Sequence, residues 1–335
     1  MVQDNINVII QNAVNSNSKN NLKNERELIN NFYKTVKENY MLFETTNKID
    51  LSNNNGFKLE QEVIEKIFNK YMNIFPLINE KNDSMITTNN LLCSTVYSKL
   101  GIIHTIFDGN SYILLEMILL GIITHNTIIF SYNGYMHGTN GLIISLVQTI
   151  LEKENYIKEM FQHSFIIRPE DFFDSFKTIN KTIVIGDSEI QNKYNKLCAN
   201  VLLISGYNNY DIYIEDLEHV EIIKKIISQK LNINLYINSG LKVKADNAIF
   251  VEDIDEAITQ INFNSSGYSS SIFTRNNGNA SKFIKNINSK NVLVNASPTL
   301  VQQLDITQED LLKEKNIILP NIYKFDEFKS NIEIN

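Results

Sequence analysis

Residues Ala248–Ala296 read AIFVEDIDEAITQINFNSSGYSSSIFTRNNGNASKFIKNINSKNVLVNA. Apolar runs of strand length alternate there with segments of helical spacing, so the stretch reads strand, helix, strand, helix, strand. Just upstream, the same alternation predicts a strand at Asp211–Ile214, a helix at Val220–Gln229 and a strand at Asn234–Ile237. It begins near Leu91. Strands are predicted at Gly101–Phe107, Thr127–Phe130, Ser164–Ile167, Thr182–Ile185 and Val201–Ile204, with helices between them near 112–124, 138–152, 171–178 and 189–197. Near-continuous apolar strands joined by helices imply parallel sheets covered on both faces. The fold class is therefore α/β, a doubly wound Rossmann-type sheet followed by a reduced second α/β domain. Such sheets take ligands beyond the carboxyl ends of their strands.

The flanks differ. Leu28, Phe32, Val36 and Tyr40, then Val63, Ile67, Tyr71 and Ile74, recur at helical spacing and predict a helical lead-in broken by the turn SNNNG at 52–56. Residues 1–24 are polar after the patch NVII and read as a loose arm with at most one short element. The tail carries TQEDLLKEK, a predicted short helix with Thr307 as N-cap and acids in its first turn, and then a predicted strand at Ile317–Lys324. The organisation expected is an arm (1–24), a lead-in with the Rossmann-like domain (25–208), a reduced second domain (209–300) and a tail (301–335).

Composition narrows the function. A chain with 43% hydrophobic and 21% charged residues belongs with soluble globular proteins. A net charge of -7 argues against a nucleic-acid partner, which calls for a basic face. The longest apolar run, Tyr112–Thr124, is too short to span a bilayer and carries Glu116, so no membrane association is expected. Cys93 and Cys198 are far apart and support neither a disulfide framework nor a metal knuckle; the expected location is cytoplasmic. The five histidines have no i, i+4 pairing and no neighbouring cysteine, so no metal is expected.

Three segments resemble the aldehyde dehydrogenase superfamily, and in particular its γ-glutamyl phosphate reductase (glutamate-5-semialdehyde dehydrogenase) branch. Leu100–Asn140 is similar to the family's PLGVVGIIYE strand, the helix after it and the GNAVILRGGSEA strand and turn. Thr182–Asp216 is similar to its glycine turn and to the strand leading into TGVGNCHVYVD. In Ala248–Ala296, SSGYSSSIFT and NVLVNAS resemble GSGHSDAIVT and AVYVNAS. The resemblance implies the fold already read, together with a thiolate that attacks an acyl carbon, amide donors for the oxyanion, and NADP or NAD as hydride carrier.

Carried over residue by residue, that machinery is thinned. The family thiol position falls near Asn238 and Ser239, and neither is cysteine. Ser239 is a hydroxyl that would need a base; a turn residue beside Gly240 is the other reading. Asn110 and Asn209 stand at or near the family's oxyanion asparagines and read either as those donors or as loop and cap residues. The ribose or phosphate contact after the second strand is Ser131, and the pyrophosphate turn is Gly186-Asp187-Ser188-Glu189. Gln191 replaces a glycine there, and Asp187 would repel phosphate. Only about ten residues separate Asn238 from Ala248, where the family carries several further elements.

The resemblance thus implies a non-catalytic relative without cofactor, acting by interaction or scaffolding. The alternative is an NAD(P)-dependent reductase of γ-glutamyl phosphate, or of another acyl phosphate or aldehyde, of the proline-biosynthesis type. Because the family assembles by sheet extension between subunits, a homo- or hetero-oligomer through exposed strand edges is expected.

Overall fold

A computed structural model describes residues 2–20, 22–53, 59–79, 86–88, 91–132, 136–164, 171, 177–186, 188–197, 200–205, 209–218, 221, 223–224, 226, 232–243, 248–265, 267–298 and 306–320. Four helices lead in: α1 (Val2–Lys19), α2 (Glu25–Glu38), α3 (Tyr40–Asn53) and α4 (Gln61–Met72). The start of α2 shows why. The Asn24 side chain accepts from the Glu27 amide at 3.2 Å, Glu25 and Glu27 occupy the first turn, and Lys37 lies in the last. Leu28, Phe32 and Val36 form its buried stripe.

The first residues are not a loose arm. In α1, Ile6 and Ala13 are buried against Ile102, Ile129 and Ile179 of the neighbouring sheet region. Local composition disfavours this helix, but packing of one apolar stripe overrides propensity.

Strands β1 (Ile86–Thr88) and β2 (Leu91–Lys99) precede the first parallel sheet. That sheet is built from β3 (Ile102–Phe107), β4 (Thr127–Tyr132), β5 (Phe161–His163), β6 (Lys181–Gly186) and β7 (Val201–Ser205), in the order β5-β4-β3-β6-β7. Its helices are α5 (Ser111–Thr124), α6 (His137–Lys153) and α7 (Ser188–Leu197). Every residue of α5 is buried, as suits a helix apolar on all sides. The strand predicted at 164–167 lies three residues earlier, where Phe161 pairs with Ile128 in register; residues 165–167 are outside the described residues. The helix predicted at 171–178 also falls largely outside them.

The second sheet comprises β8 (Asn209–Ile214), β9 (Asn232–Asn238), β10 (Ala248–Val251), β11 (Ser269–Phe273) and β12 (Asn291–Val294), in the order β10-β9-β8-β11-β12. Helices α8 (Ile254–Asn264) and α9 (Asn277–Asn286) complete the stretch Ala248–Ala296 as predicted. All its pairings are parallel, and its order is the same permutation as in the first sheet. Each sheet therefore has one switch point, between β3 and β6 and between β8 and β11.

The tail differs from its prediction. Among its described residues only Glu309–Leu311 is helical, as one 3-10 turn, and β13 (Leu312–Pro320) begins directly after it; positions 321–324 of the predicted strand lie outside the described residues. β13 pairs antiparallel with β2 from Leu312↔Lys99 to Pro320↔Leu91, and β1 pairs with the other edge of β2. A nine-residue ladder satisfies more backbone groups than the predicted short helix could, and β2 carries no signal of it in local sequence. No helix among the described residues is long and apolar enough to cross a membrane.

Candidate functional site

At the first switch point, β3 ends in the turn Asp108-Gly109-Asn110. Gly109 has φ +95, a conformation that favours glycine. Asn110 is buried and caps α5, its side-chain oxygen accepting from the Tyr112 amide at 2.9 Å. Its own amide donates to Asp108 Oδ1 at 3.0 Å. Buried Asn140 of α6 clamps this turn, donating to the Gly109 carbonyl at 2.7 Å and accepting from Ser111 Oγ at 2.6 Å. Across the switch point, Gly186 ends β6 and its carbonyl accepts from Gln191 Nε2 at 2.9 Å. The Gln191 side chain thus folds back over the turn. Ser188 and Glu189 form the first turn of α7; their side chains and Asp187 lie outside what the structure describes.

The carboxyl end of β4 is closed. Ser131 is fully buried, with Oγ 2.8 Å from His104 Nε2 and 2.7 Å from Ser164 Oγ. The hydroxyl–imidazole spacing is that of a nucleophile and its base, but His104 is fully buried too, and burial pushes its pKa down to about 3. With neither group accessible to substrate, the set is a core hydrogen-bond network. Tyr132, the next residue, lies against Phe107 with ring centroids 5.2 Å apart and against His137 at 5.7 Å. Burial lowers the pKa of His163 to about 4, with a smaller contribution from His137, so His163 is neutral at pH 7.

Asp50 of α3 reaches the same end. Its Oδ2 accepts from the Thr139 amide at 2.8 Å and from Thr139 Oγ1 at 2.7 Å, and its Oδ1 accepts from the Gly138 amide at 3.2 Å. These amides belong to the N-terminus of α6, where a helix attracts an anion. Burial, and then the charge of Asp50, raise the pKa of Tyr132. A dinucleotide ribose or phosphate brought to the end of β4 would meet this carboxylate, and Ser131 is already committed to His104 and Ser164. The residues present do not fit that group here.

The second sheet separates the other candidates. Asn209 is level with Asn232 at the start of β8, whereas Asn238 ends β9. Six residues of strand divide the two levels, roughly 20 Å. The Asn238 side chain caps a 3-10 turn: it accepts from the Gly240 amide at 2.9 Å and donates to the Glu252 carbonyl at 3.1 Å and to Tyr213 Oη at 3.4 Å. Ser239 is exposed in that turn. At the nearby switch point, Glu215 accepts from Thr274 Oγ1 and Asn279 Nδ2, and Asp216 Oδ2 accepts from the Arg275 amide at 2.6 Å. Cys93 sits on the middle strand of the antiparallel sheet, opposite Ile86 and Ile318, and Cys198 lies outside the described residues.

Asn209 begins β8 directly before Tyr210. Tyr210 and Tyr268, at the starts of β8 and β11, belong to one apolar cluster with Ile185 and Ile204 at the ends of β6 and β7. Sequence reasoning missed Asp50 and the His104 and Ser164 partners of Ser131. It also missed Asp211, fully buried in β8, which accepts from Asn234 at 3.0 Å and Ser265 Oγ at 2.6 Å. A carboxylate within a predicted strand was the one available signal for the last. Among the described residues, no group of three His, Cys, Asp or Glu side chains could hold a metal ion.

No protein-family model and no curated protein matches the sequence. Solved structures do match its shape. The γ-glutamyl phosphate reductase of Thermotoga maritima superposes with a TM-score of 0.61 at 16% identity, covering 95% of this chain and 98% of that one. Glyceraldehyde-3-phosphate dehydrogenase of Methanocaldococcus jannaschii, solved with NADP, gives 0.73 at 14% identity over 96% and 95%. Betaine aldehyde dehydrogenase of Staphylococcus aureus, solved with NAD+, gives 0.76 at 12% over 96% and 88%. The chain has the fold of the aldehyde dehydrogenases and γ-glutamyl phosphate reductases, with Rossmann-type parallel sheets.

Proposed function

We propose that this chain keeps the aldehyde dehydrogenase fold without its thiol chemistry and acts by interaction or scaffolding. One observation carries the reading: from residue 199 to the C-terminal end of the sequence there is no cysteine. Acyl transfer of this kind needs a thiolate beside oxyanion donors, because sulfur both attacks and leaves readily near neutral pH. None of Asn238 and Ser239 at the β9 end, Asn110 at the start of α5 and Asn209 at the start of β8 is a cysteine. The apolar cluster through Tyr210 and Tyr268 further supports a junction built for packing.

The interaction surface we propose is the set of strand edges. Edge strand β10 exposes Ile249 (41%) and Phe250 (45%) on its two faces, and among the described residues β13 is an edge strand of its sheet. Such edges pair with another strand, from a second copy or from another chain. The two-cysteine composition fits a reducing cytoplasm. Sedimentation of the wild-type chain and of Phe250→Lys tests the edge: wild-type self-association or partner capture should weaken in the variant, and identical behaviour of the two would remove β10 from the interface.

A working NAD(P)-dependent reductase is the second reading, favoured by retention of both parallel sheets and of a glycine turn before α7. The pure protein decides between them. Reduction of NADP with glutamate-5-semialdehyde and phosphate, above a no-protein control, would overturn the non-catalytic reading.

A further inference from the structure

We propose that α3 is a built-in stopper for the nucleotide edge of the first sheet, with Asp50 as an internal anion in place of a ligand phosphate. This goes beyond loss of the thiol, because a chain without a nucleophile could still bind a dinucleotide. Three observations meet at one place. Asp50 takes two backbone amides and one hydroxyl at the N-terminus of α6. Gly138 permits the approach: a Cβ there would lie 2.8 Å from Thr46 Cγ2 and 3.1 Å from Asp50 Oδ1. Asn47, one turn earlier on α3 and buried, accepts from the Leu59 amide at 2.9 Å and donates to Met136 Sδ at 3.7 Å, which holds α3 against the residue directly before α6. The seal is completed on the strand side by Ser131, held by His104 and Ser164. An incoming phosphate would have to displace a carboxylate already seated on the amides it needs, against like-charge repulsion.

The test uses the full chain, with inorganic phosphate and NADPH as probes and thermal melting as readout. Wild type should show no NADPH-dependent shift and only the general stabilisation that phosphate gives any folded protein. Asp50→Ala should melt about 2 °C lower, the loss of one helix cap in a chain of this size. Phosphate should restore that loss, over and above its effect on wild type. Asp50→Asn, which removes the charge but leaves one acceptor on the amides, should melt between the two and gain part of the extra phosphate response. Equal phosphate responses in all three proteins would overturn the proposal, and Asp50→Asn against wild type remains readable if Asp50→Ala does not fold. Saturable NADPH binding by wild type would also overturn it, while leaving the non-catalytic reading in place unless turnover accompanied it.

Discussion

Replacing Lys70 by Met should destabilise the protein by about 3 kcal/mol, and replacing Glu116 by Leu in the same chain should return part of that loss. Glu116 is fully buried in the otherwise apolar α5, and its Oε2 accepts from Lys70 Nζ and Tyr71 Oη, each at 2.9 Å. Removing one partner of a buried ion pair costs roughly 3–5 kcal/mol, because the remaining charge stays buried. The Lys70 side chain is 31% exposed, so water reaches the site from that side and the lower end of the range applies. In Lys70→Met/Glu116→Leu no charge remains. Tyr71 Oη then loses its acceptor, at about 1–3 kcal/mol, offset by the apolar contacts of Leu. The double variant should therefore be more stable than Lys70→Met by about 1–2 kcal/mol. Urea denaturation at pH 7, followed by far-ultraviolet circular dichroism, measures all three proteins. If the double variant is no more stable than Lys70→Met, the buried charge is not the source of the cost.

Two further outcomes concern pH. His104 has a folded pKa of about 3, depressed by burial, against about 6.5 when unfolded. Its contribution is complete above the unfolded value and is lost as pH falls from there toward 3, so His104→Asn should flatten the acid limb of the stability curve. Between pH 6 and 4 the slope should fall by about 1.4 kcal/mol per pH unit, read from urea midpoints in that window; an unchanged slope would show that His104 can take a proton in the folded protein. Asp211 behaves in the opposite sense: burial raises its folded pKa above the usual carboxylate value. The unfolded chain therefore gives up this proton first as pH rises, and the stability of Asp211→Asn relative to wild type should increase between pH 4 and pH 6. A constant difference across that range would place the Asp211 carboxylate in an environment as polar as water.

Particular elements show how far local pattern reaches. The parallel strands and helices of Ala248–Ala296 were legible because apolar runs buried on both faces leave a period that composition alone reveals. The same holds for β3, β4, β6 and β7. The β2–β13 ladder was not legible: its partners are separated by more than two hundred positions, and nothing in LLCSTVYSK names LKEKNIILP as its neighbour. The loose-arm reading of residues 1–24 failed for the same reason, since Ile6 and Ala13 acquire their meaning from Ile102, Ile129 and Ile179.

By itself, the sequence determined the α/β class, a doubly wound unit followed by a second α/β unit, and the lack of a cysteine in the second of them. These depend only on residue type and spacing along the chain. Tertiary structure alone decided that Asn209 and Asn238 stand at opposite ends of one sheet, that Ser131 is locked to His104, and that Asp50 occupies the start of α6. Each is a meeting, or a separation, of residues remote in sequence, set by strand register and helix packing, and no local pattern encodes those distances.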